Sequence, residues 1–286
     1  MKASFGIVMS HAPGFGGRWD LLDEPRRATL AAGIAQAQRL VEAAAPDLII
    51  AFVNDHFKNF TLKDMPAFCI GVGEFNEAPS SEAAQALGIP ARTIEGEPEV
   101  AMALLDGLME AGFDPAFSAE LSFYDDLSVP LFHLFGPTRK LPPIVPIVTN
   151  CVAPPMPTFR RSRQIGAAVR TVLAAMDDRY RRVMVLGSGG LSHWVGTPKT
   201  GEINGAFDFD VLQMVCRGHA DDMSDWRDAE IDHVAGNGAL ELKNWLAALS
   251  TIGSYDARQL AYAPAREWLT GIAIVAVNAS EAVVPA

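Results

Sequence analysis

An apolar run that ends abruptly in glycines, Val183–Trp194, constrains the fold of this 286-residue chain more than any other segment. Its first four residues are apolar, as in a buried β-strand, and Gly-Ser-Gly-Gly then precedes His193. Because glycine carries no β-carbon, the backbone can turn sharply here and a ligand can approach it closely. The pattern predicts that His193 follows the carboxyl end of a strand, where open α/β sheets form their sites.

The same pattern occurs twice more, upstream of this segment. The apolar run Phe5–Met9 leads to His11, and the run Leu48–Val53 leads to His56. Any one of these histidines could be a structural side chain with satisfied hydrogen bonds. Three histidines after three strands instead indicate a metal site or an acid–base site.

The remaining patterns predict one α/β domain over residues 1–286. Hydrophobic residues make up 49% of the chain and charged residues 20%, which is typical of a globular protein with a sizeable core. Apolar residues spaced three and four apart predict a helix over Leu30–Ala44 between the first two strands, which makes the sheet begin parallel. We therefore expect a mostly parallel central sheet with helices on both faces and a site at the carboxyl ends of the strands.

Three segments carry less regular signals. Ile144–Asn150 is typical of a buried strand, but its proline predicts an edge position or a bulge. Tyr124–Asp126 predicts a loop, with a helix beginning at Pro130. The tail, residues 279–286, is expected to fray.

The charge and cysteine patterns exclude several classes of partner. The net charge is −11, and no basic cluster is interleaved with aromatic residues, so nucleic acid is not expected to bind. The three cysteines are far apart and predict neither a disulfide framework nor a structural zinc site. Without a signal-peptide pattern or an apolar run near the ~20 residues that span a bilayer, a cytoplasmic protein is expected.

Four motifs, in order along nearly the whole chain, resemble those of the class III extradiol ring-cleaving dioxygenases. They are Ser10–Pro13, Asn54–His56, Gly189–His193 and Glu241–Trp245. Each motif alone is short, but their order and spacing agree with the family. The resemblance implies one catalytic domain and Fe(II)-dependent extradiol (meta) cleavage of a catechol-like or hydroxylated heteroaromatic ring, such as a hydroxypyridone, by O2 in aromatic catabolism.

The resemblance also implies roles for particular residues. His11, His56 and Glu241 would bind Fe(II) as a two-histidine, one-carboxylate set that leaves positions open for substrate and O2. His193 would be the acid–base residue that takes a proton from a substrate hydroxyl. From the residues alone, Glu241 could equally be one more solvated acidic side chain on a helix.

One position departs from the family pattern. Members usually carry Asp-His-Gly shortly before a Val-Pro-Leu-like segment, and here Asp125 stands where that second acid–base histidine is expected. Asp125 is therefore a candidate catalytic residue. If ionised, it would disfavour a carboxylated catechol and favour a ring that presents a donor. If burial holds it protonated, it could act as the second acid.

Three further residues are candidates for substrate binding. Asp55 could bind substrate or orient His56, or it could only cap the end of a strand. Asn59 could reach substrate or order a loop. Tyr124, next to Asp125 in the sequence, is the third candidate.

Other conspicuous side chains are expected to be structural. His133 lies among apolar residues and is expected in the core, as is Trp245 one turn after Glu241. His219 and His233 lie in polar stretches and are expected to be solvated.

Two alternative functions stay open at this stage. The same scaffold could hold Zn²⁺ and a metal-bound water as a hydrolase. A non-catalytic relative could act as a binding protein. For the ring-cleaving enzyme we expect a homo-oligomer, and the resemblance leaves open a small partner subunit that closes the site.

Overall fold

The structure, a computed structural model, describes residues 1–177 and 179–280. The strands of this part of the chain are β1 (Ala3–Met9), β2 (Leu48–Asn54), β3 (Phe68–Gly71), β4 (Phe75–Glu77), β5 (Thr93–Glu95), β6 (Ala116–Ser118), β7 (Ile144–Thr149), β8 (Val183–Ser188), β9 (Tyr255–Ala265) and β10 (Thr270–Ala279). Its α-helices are α1 (Pro13–Gly17), α2 (Glu24–Ala44), α3 (Ser81–Leu87), α4 (Pro98–Glu110), α5 (Asp125–Phe135), α6 (Phe159–Ala175), α7 (Gly205–Cys216), α8 (Asp228–Ala235) and α9 (Leu242–Ile252).

Eight strands form one central sheet in the order β6-β3-β7-β2-β8-β1-β10-β9. The four central strands β7, β2, β8 and β1 run parallel to one another. Strand β10 joins β1 antiparallel, and β9 forms a hairpin with β10 at the edge. The prediction of a mostly parallel sheet is confirmed, and β4 and β5 form a separate small hairpin.

Helices cover both faces of the sheet because the central strands are apolar on both sides. Successive strand residues point to opposite faces, so a strand buried on both faces is an unbroken apolar run, as in β2. Helices α2 and α5 pack on one face, and α4, α6 and α9 pack on the other. Every residue of α9 is buried, including its polar ones, because the helix packs between the sheet and α6.

The prediction of an edge or a bulge at Pro146 is wrong, because β7 lies inside the sheet between β2 and β3. Pro146 stands opposite Ala51 in an unbroken register with β2. Pairing with β3 ends where Ile147 meets Ile70, so the antiparallel partner requires no N–H from the proline.

Two further segments differ from the predictions. Residues Tyr255–Ala265 form a long strand that the sequence did not predict, because its alternation of exposed and buried positions is irregular. Helix α5 begins at Asp125 rather than at Pro130, so the proline lies inside the helix. Of the tail that was expected to fray, residues 281–286 lie outside the described part.

The described residues include no helix with the length and apolar character needed to cross a membrane.

Candidate metal centre and active site

Three neighbouring strands bring the predicted histidines to one edge of the sheet. Strands β2, β8 and β1 are adjacent and parallel, with Phe52 opposite Gly187 and Met9 opposite Ser188. His11 and His56 follow the carboxyl ends of the outer two strands of this trio. Their ring centroids lie 5.2 Å apart.

The carboxylate of Glu241 lies between the two imidazoles. Its Oε2 is 3.5 Å from Nε2 of His11, and its Oε1 is 3.1 Å from Nε2 of His56. Glu241 ends the 3₁₀ turn Asn237–Glu241, directly before α9, and only 3% of it is exposed. It is therefore not a solvated helix side chain. The ligating atoms of the three residues all lie within 4.8 Å of one another, close enough to hold a metal ion together.

A hydrogen-bond chain fixes which nitrogen of His11 faces this point. Pro130 has no N–H, so the carbonyl of Asp126, four residues earlier in α5, lacks its helical donor. The hydroxyl of Ser188 donates to that carbonyl instead. Its one hydrogen being used, Ser188 Oγ must accept from Nδ1 of His11, 2.9 Å away. The unprotonated Nε2 of His11 then faces Glu241.

The orientation of the His56 ring is fixed by a carboxylate instead of a hydroxyl. Nδ1 of His56 lies 3.0 Å from Oδ1 of Asp125, to which it donates. Nε2 therefore faces the candidate metal position, where the amide of Asn54 lies 2.6 Å away and also donates to Glu241. Both histidines thus present Nε2 to the same point.

Charges in the centre are mutually stabilising. Burial lowers the pKa of His11, although Glu241 acts in the opposite direction. Burial opposes ionisation of Glu241, but the neighbouring histidines outweigh it and hold its pKa well below the usual range. Burial likewise opposes a charge on His56, but Asp125 and Glu241 raise its pKa well above the ordinary value. In turn, His56 outweighs burial and lowers the pKa of Asp125, so that carboxylate is ionised.

His193 is not a member of this group of ligating atoms, but it lies close to Glu241. A β-carbon at Gly190 would lie 2.2 Å from Cε1 of His193 and 3.3 Å from Oε2 of Glu241. Its Nδ1 donates to the carbonyl of Leu191, 3.0 Å away, so Nε2 is the basic atom. Its own backbone N–H donates to Ala235, and its carbonyl accepts from Gly238. The imidazole is largely buried, with 8% of the residue exposed.

Residues that the sequence did not single out hold the His193 loop in place. The carboxylate of Asp208, fully buried, accepts a 2.8 Å hydrogen bond from the Ser192 amide and another from the Tyr262 hydroxyl. Gly238 packs against the ring of His193. The segment that contains Asp208 resembles a family segment, but no local pattern indicated that its carboxylate would bind the His193 loop.

The three predicted substrate-binding residues lie around the neighbouring loop. The carboxylate of Asp55 accepts hydrogen bonds from the backbone of Asn59 and Phe60 and from the Asn59 side chain. The Asn59 amide also exchanges hydrogen bonds with the backbone of Ser122. Both side chains therefore order this loop, and their contact with substrate stays a prediction.

A cavity of about 280 Å³ opens beside His56. It is lined by His56, Phe57, Lys58, Glu82, Ala83, Ala86 and Tyr124. The side chain of His56 is 28% exposed, whereas that of His11 is 3% exposed, so access to the centre runs past His56. The cavity wall carries a basic side chain, Lys58, and an acidic side chain, Glu82.

The structure confirms the expected positions of four side chains outside the site. His133 is buried and stacks on Phe15 with ring centroids 4.1 Å apart. Trp245 is fully buried in the core. His219 and His233 are exposed.

Comparison with known proteins identifies the family of this chain. Residues 5–273 match the family model described as the catalytic LigB subunit of aromatic ring-opening dioxygenase. A 2,3-dihydroxyphenylpropionate/2,3-dihydroxicinnamic acid 1,2-dioxygenase of Mycolicibacterium paratuberculosis is 30% identical over 93% of this chain and 96% of the relative. Enzymes of the same name from Photorhabdus laumondii, at 29% identity over 95% of this chain and 96% of the relative, and from Escherichia coli, at 27% over 83% and 87%, are also similar. The chain therefore belongs to the LigB family and is an aromatic ring-cleaving dioxygenase of the extradiol type.

Proposed function

We propose that this enzyme uses Fe(II) and O2 to cleave a catechol-like or hydroxylated heteroaromatic ring in extradiol fashion. The observation that carries the proposal is the convergence of His11, His56 and Glu241 within 4.8 Å at the carboxyl edge of the sheet. Two imidazoles and one carboxylate on one side of an ion are typical of non-haem Fe(II) oxygenases, whose remaining coordination positions stay open.

The donor atoms suit such an ion. Both histidines direct Nε2 at the candidate metal position, because Ser188 and Asp125 bind the other ring nitrogens. His11 offers this nitrogen unprotonated, and His56 offers it once its proton is released. Glu241 is ionised, so the set carries one negative charge towards a divalent cation. Fe(II), when bound, supplies the redox-active centre through which O2 reacts with an electron-rich ring.

The protein's own acid–base work is assigned to His193. Its Nδ1–H is held by Leu191, which leaves Nε2 to accept the proton of a substrate hydroxyl. Because most of the ring is buried, the proton is exchanged with substrate rather than with bulk water. Asp208 and Gly238 keep the imidazole in place for this transfer.

The charge of Asp125 supports a preference among rings. An ionised carboxylate near the candidate metal position disfavours a ring carboxylate directed at it and favours a ring with a donor, such as a hydroxypyridone or a polyhydroxylated arene. Substrate contacts by Asp55, Asn59 and Tyr124 belong to the same proposal. The substrate would enter by the cavity beside His56.

One observation favours a second substrate class. The relatives are named for 2,3-dihydroxyphenylpropionate, whose acid group lies at the end of a flexible side chain. Lys58 in the cavity wall could bind such a distant carboxylate without bringing it close to Asp125. Replacing the lysine, Lys58→Met, should then raise KM for dihydroxyphenylpropionate about tenfold and leave KM for unsubstituted catechol unchanged. Equal effects on both substrates would remove Lys58 from this role.

The experiment that tests the function is O2 uptake by protein reconstituted anaerobically with Fe(II). The panel comprises catechol, dihydroxyphenylpropionate, protocatechuate, gallate and a hydroxypyridone, and ring opening is followed by absorbance. Zn(II)-loaded protein is the matched control, since it should bind substrate without consuming O2. Hydrolytic activity of the Zn(II) form, with no O2 uptake by the Fe(II) form, would overturn the proposal. Size-exclusion chromatography tests the predicted homo-oligomer and the need for a partner subunit.

A further inference from the structure

His11 and His56 differ in the group that binds Nδ1, the ring nitrogen directed away from the candidate metal position. Nδ1 of His11 is bound by the neutral hydroxyl of Ser188, at 2.9 Å. Nδ1 of His56 is bound by the carboxylate of Asp125, at 3.0 Å. A carboxylate on the outer nitrogen of a ligating histidine fixes the ring's orientation and makes the other nitrogen more basic.

Asp125 is held firmly enough to orient another side chain. It is the first residue of α5, and 2% of it is exposed. The first turn of the helix is anchored twice through Asp126, whose carboxylate accepts from the Tyr124 amide and whose carbonyl accepts from Ser188. A carboxylate on a rigid, buried helix start has little freedom to turn away from His56.

Asp55, the acidic residue next to His56 in the sequence, does not orient the His56 ring. Asp55 directs its carboxylate to the loop, where it accepts from the amides of Asn59 and Phe60. The orienting group for His56 therefore comes from 69 residues further along the chain.

His56 also needs such a partner more than His11 does. Its side chain is 28% exposed at the mouth of the cavity, while that of His11 is 3% exposed and packed on all sides. An exposed imidazole keeps more rotational freedom, and ordering it on metal binding costs conformational entropy. A hydrogen bond to a fixed carboxylate reduces that cost before the metal arrives.

We propose that Asp125 is the positioning residue of His56, which it holds with Nε2 directed at the metal. This inference rests on the proposed function in assuming a divalent metal at His11, His56 and Glu241. Asp125 then acts through His56 on metal affinity, in addition to any effect of its charge on the choice of substrate.

Anaerobic titration of the metal-free protein with Co(II) and Fe(II) tests the proposal, with affinity and the visible Co(II) spectrum as readouts. Asp125→Asn keeps the size of the side chain but loses its charge, and Asp125→Ala loses the contact. We expect affinity to fall about 10–100-fold, more in the alanine variant, with an altered Co(II) spectrum. Glu120→Gln, which removes one charge from the exposed loop before α5, is the control and should bind like wild type.

The outcomes separate this inference from the function on which it rests. If wild type binds no divalent metal, the proposed function fails. If wild type binds metal and Asp125→Asn binds it with unchanged affinity and spectrum, the positioning role is wrong while the function stands. Thermal unfolding of the metal-free variants checks that they fold, and if Asp125→Ala does not, the isosteric Asp125→Asn decides.

Discussion

Gly238 packs so closely on the imidazole of His193 that a β-carbon at Gly238 would lie 2.0 Å from Nε2 and 2.2 Å from Cε1. A β-carbon at Gly190 would likewise lie 2.2 Å from Cε1. The ring thus occupies a slot bounded by two glycine backbones, and its position depends on the absence of side chains there. The segment that supplies Gly238 also supplies Glu241 three residues later, so it serves both the acid–base residue and the metal centre.

Gly238→Ala should displace the His193 ring and lower kcat by about 10²-fold, because a misplacement of about 1 Å is enough to cost that much. Metal affinity should change less than kcat, since the three atoms nearest the new methyl group all belong to His193. Steady-state kinetics and metal titration measure the two effects. Gly205→Ala is the control, because its β-carbon would meet only the Tyr262 hydroxyl, at 3.8 Å.

His193→Ala should retain the metal yet lose turnover by about 10²–10⁴-fold, the usual contribution of a general acid–base residue. The physical reason is that no other imidazole of the described residues is placed to accept the substrate proton without also ligating the metal. Metal content and single-turnover rates check this expectation. Loss of the metal on this substitution would make His193 a ligand instead.

The parts of the fold predictable from sequence were those set by unbroken local patterns. β2 and β8 are apolar on both faces because helices cover both, so their runs are visible without knowledge of the fold. The helix between β1 and β2 predicted that these two strands run parallel, but it did not predict that β8 lies between them. In contrast, β9 is an edge strand whose exposure alternates irregularly, and its pattern predicts nothing.

The contacts of the site depend on pairs far apart in the chain, which local patterns do not contain. Nothing near Asp125 in the sequence indicates that its carboxylate lies 3.0 Å from His56. Asp55, the neighbour of His56 in the chain, was the candidate for orienting that histidine. The sequence predicted a helix that begins at Pro130, but the helix begins at Asp125, because Ser188 satisfies the carbonyl that the proline leaves free. Glu241 could be chosen among 34 acidic residues only through the family resemblance.

His133 should make the protein sensitive to mild acid. Burial lowers its pKa from 6.5 to about 4, so the folded state favours the neutral ring. The contribution of His133 to the free energy of unfolding is complete above about pH 6.5 and is lost as the pH falls towards 4. Between about pH 7.5 and 5 this loss is about 2 kcal/mol. Urea unfolding of wild type and His133→Gln at both pH values measures it. A variant that loses as much stability as wild type over this range would contradict the assignment.

Metal binding should release protons. In the metal-free protein burial opposes a charge on His56, but Asp125 and Glu241 outweigh it and raise its pKa well above 6.5, so near neutral pH the ring is protonated. Since a metal needs the neutral imidazole, affinity should rise with pH and level off above that pKa. Calorimetry in buffers of different ionisation enthalpy counts the protons. His56→Ala should abolish the release along with most of the affinity, and release that is independent of His56 would refute the argument.

The choice of substrate should depend on Asp125. Wild type should have a higher kcat/KM for a hydroxypyridone than for protocatechuate, because an ionised carboxylate repels the ring carboxylate of the latter where both are desolvated. Asp125→His, which replaces the charge with an imidazole, should move the ratio of the two kcat/KM values towards protocatechuate by at least about tenfold, equivalent to about 1.4 kcal/mol. Both ratios are to be measured on fully metal-loaded protein, so that weaker metal binding by the variant does not enter. If protocatechuate is the better wild-type substrate, the charge of Asp125 does not select the ring, although ring cleavage itself is unaffected by that result.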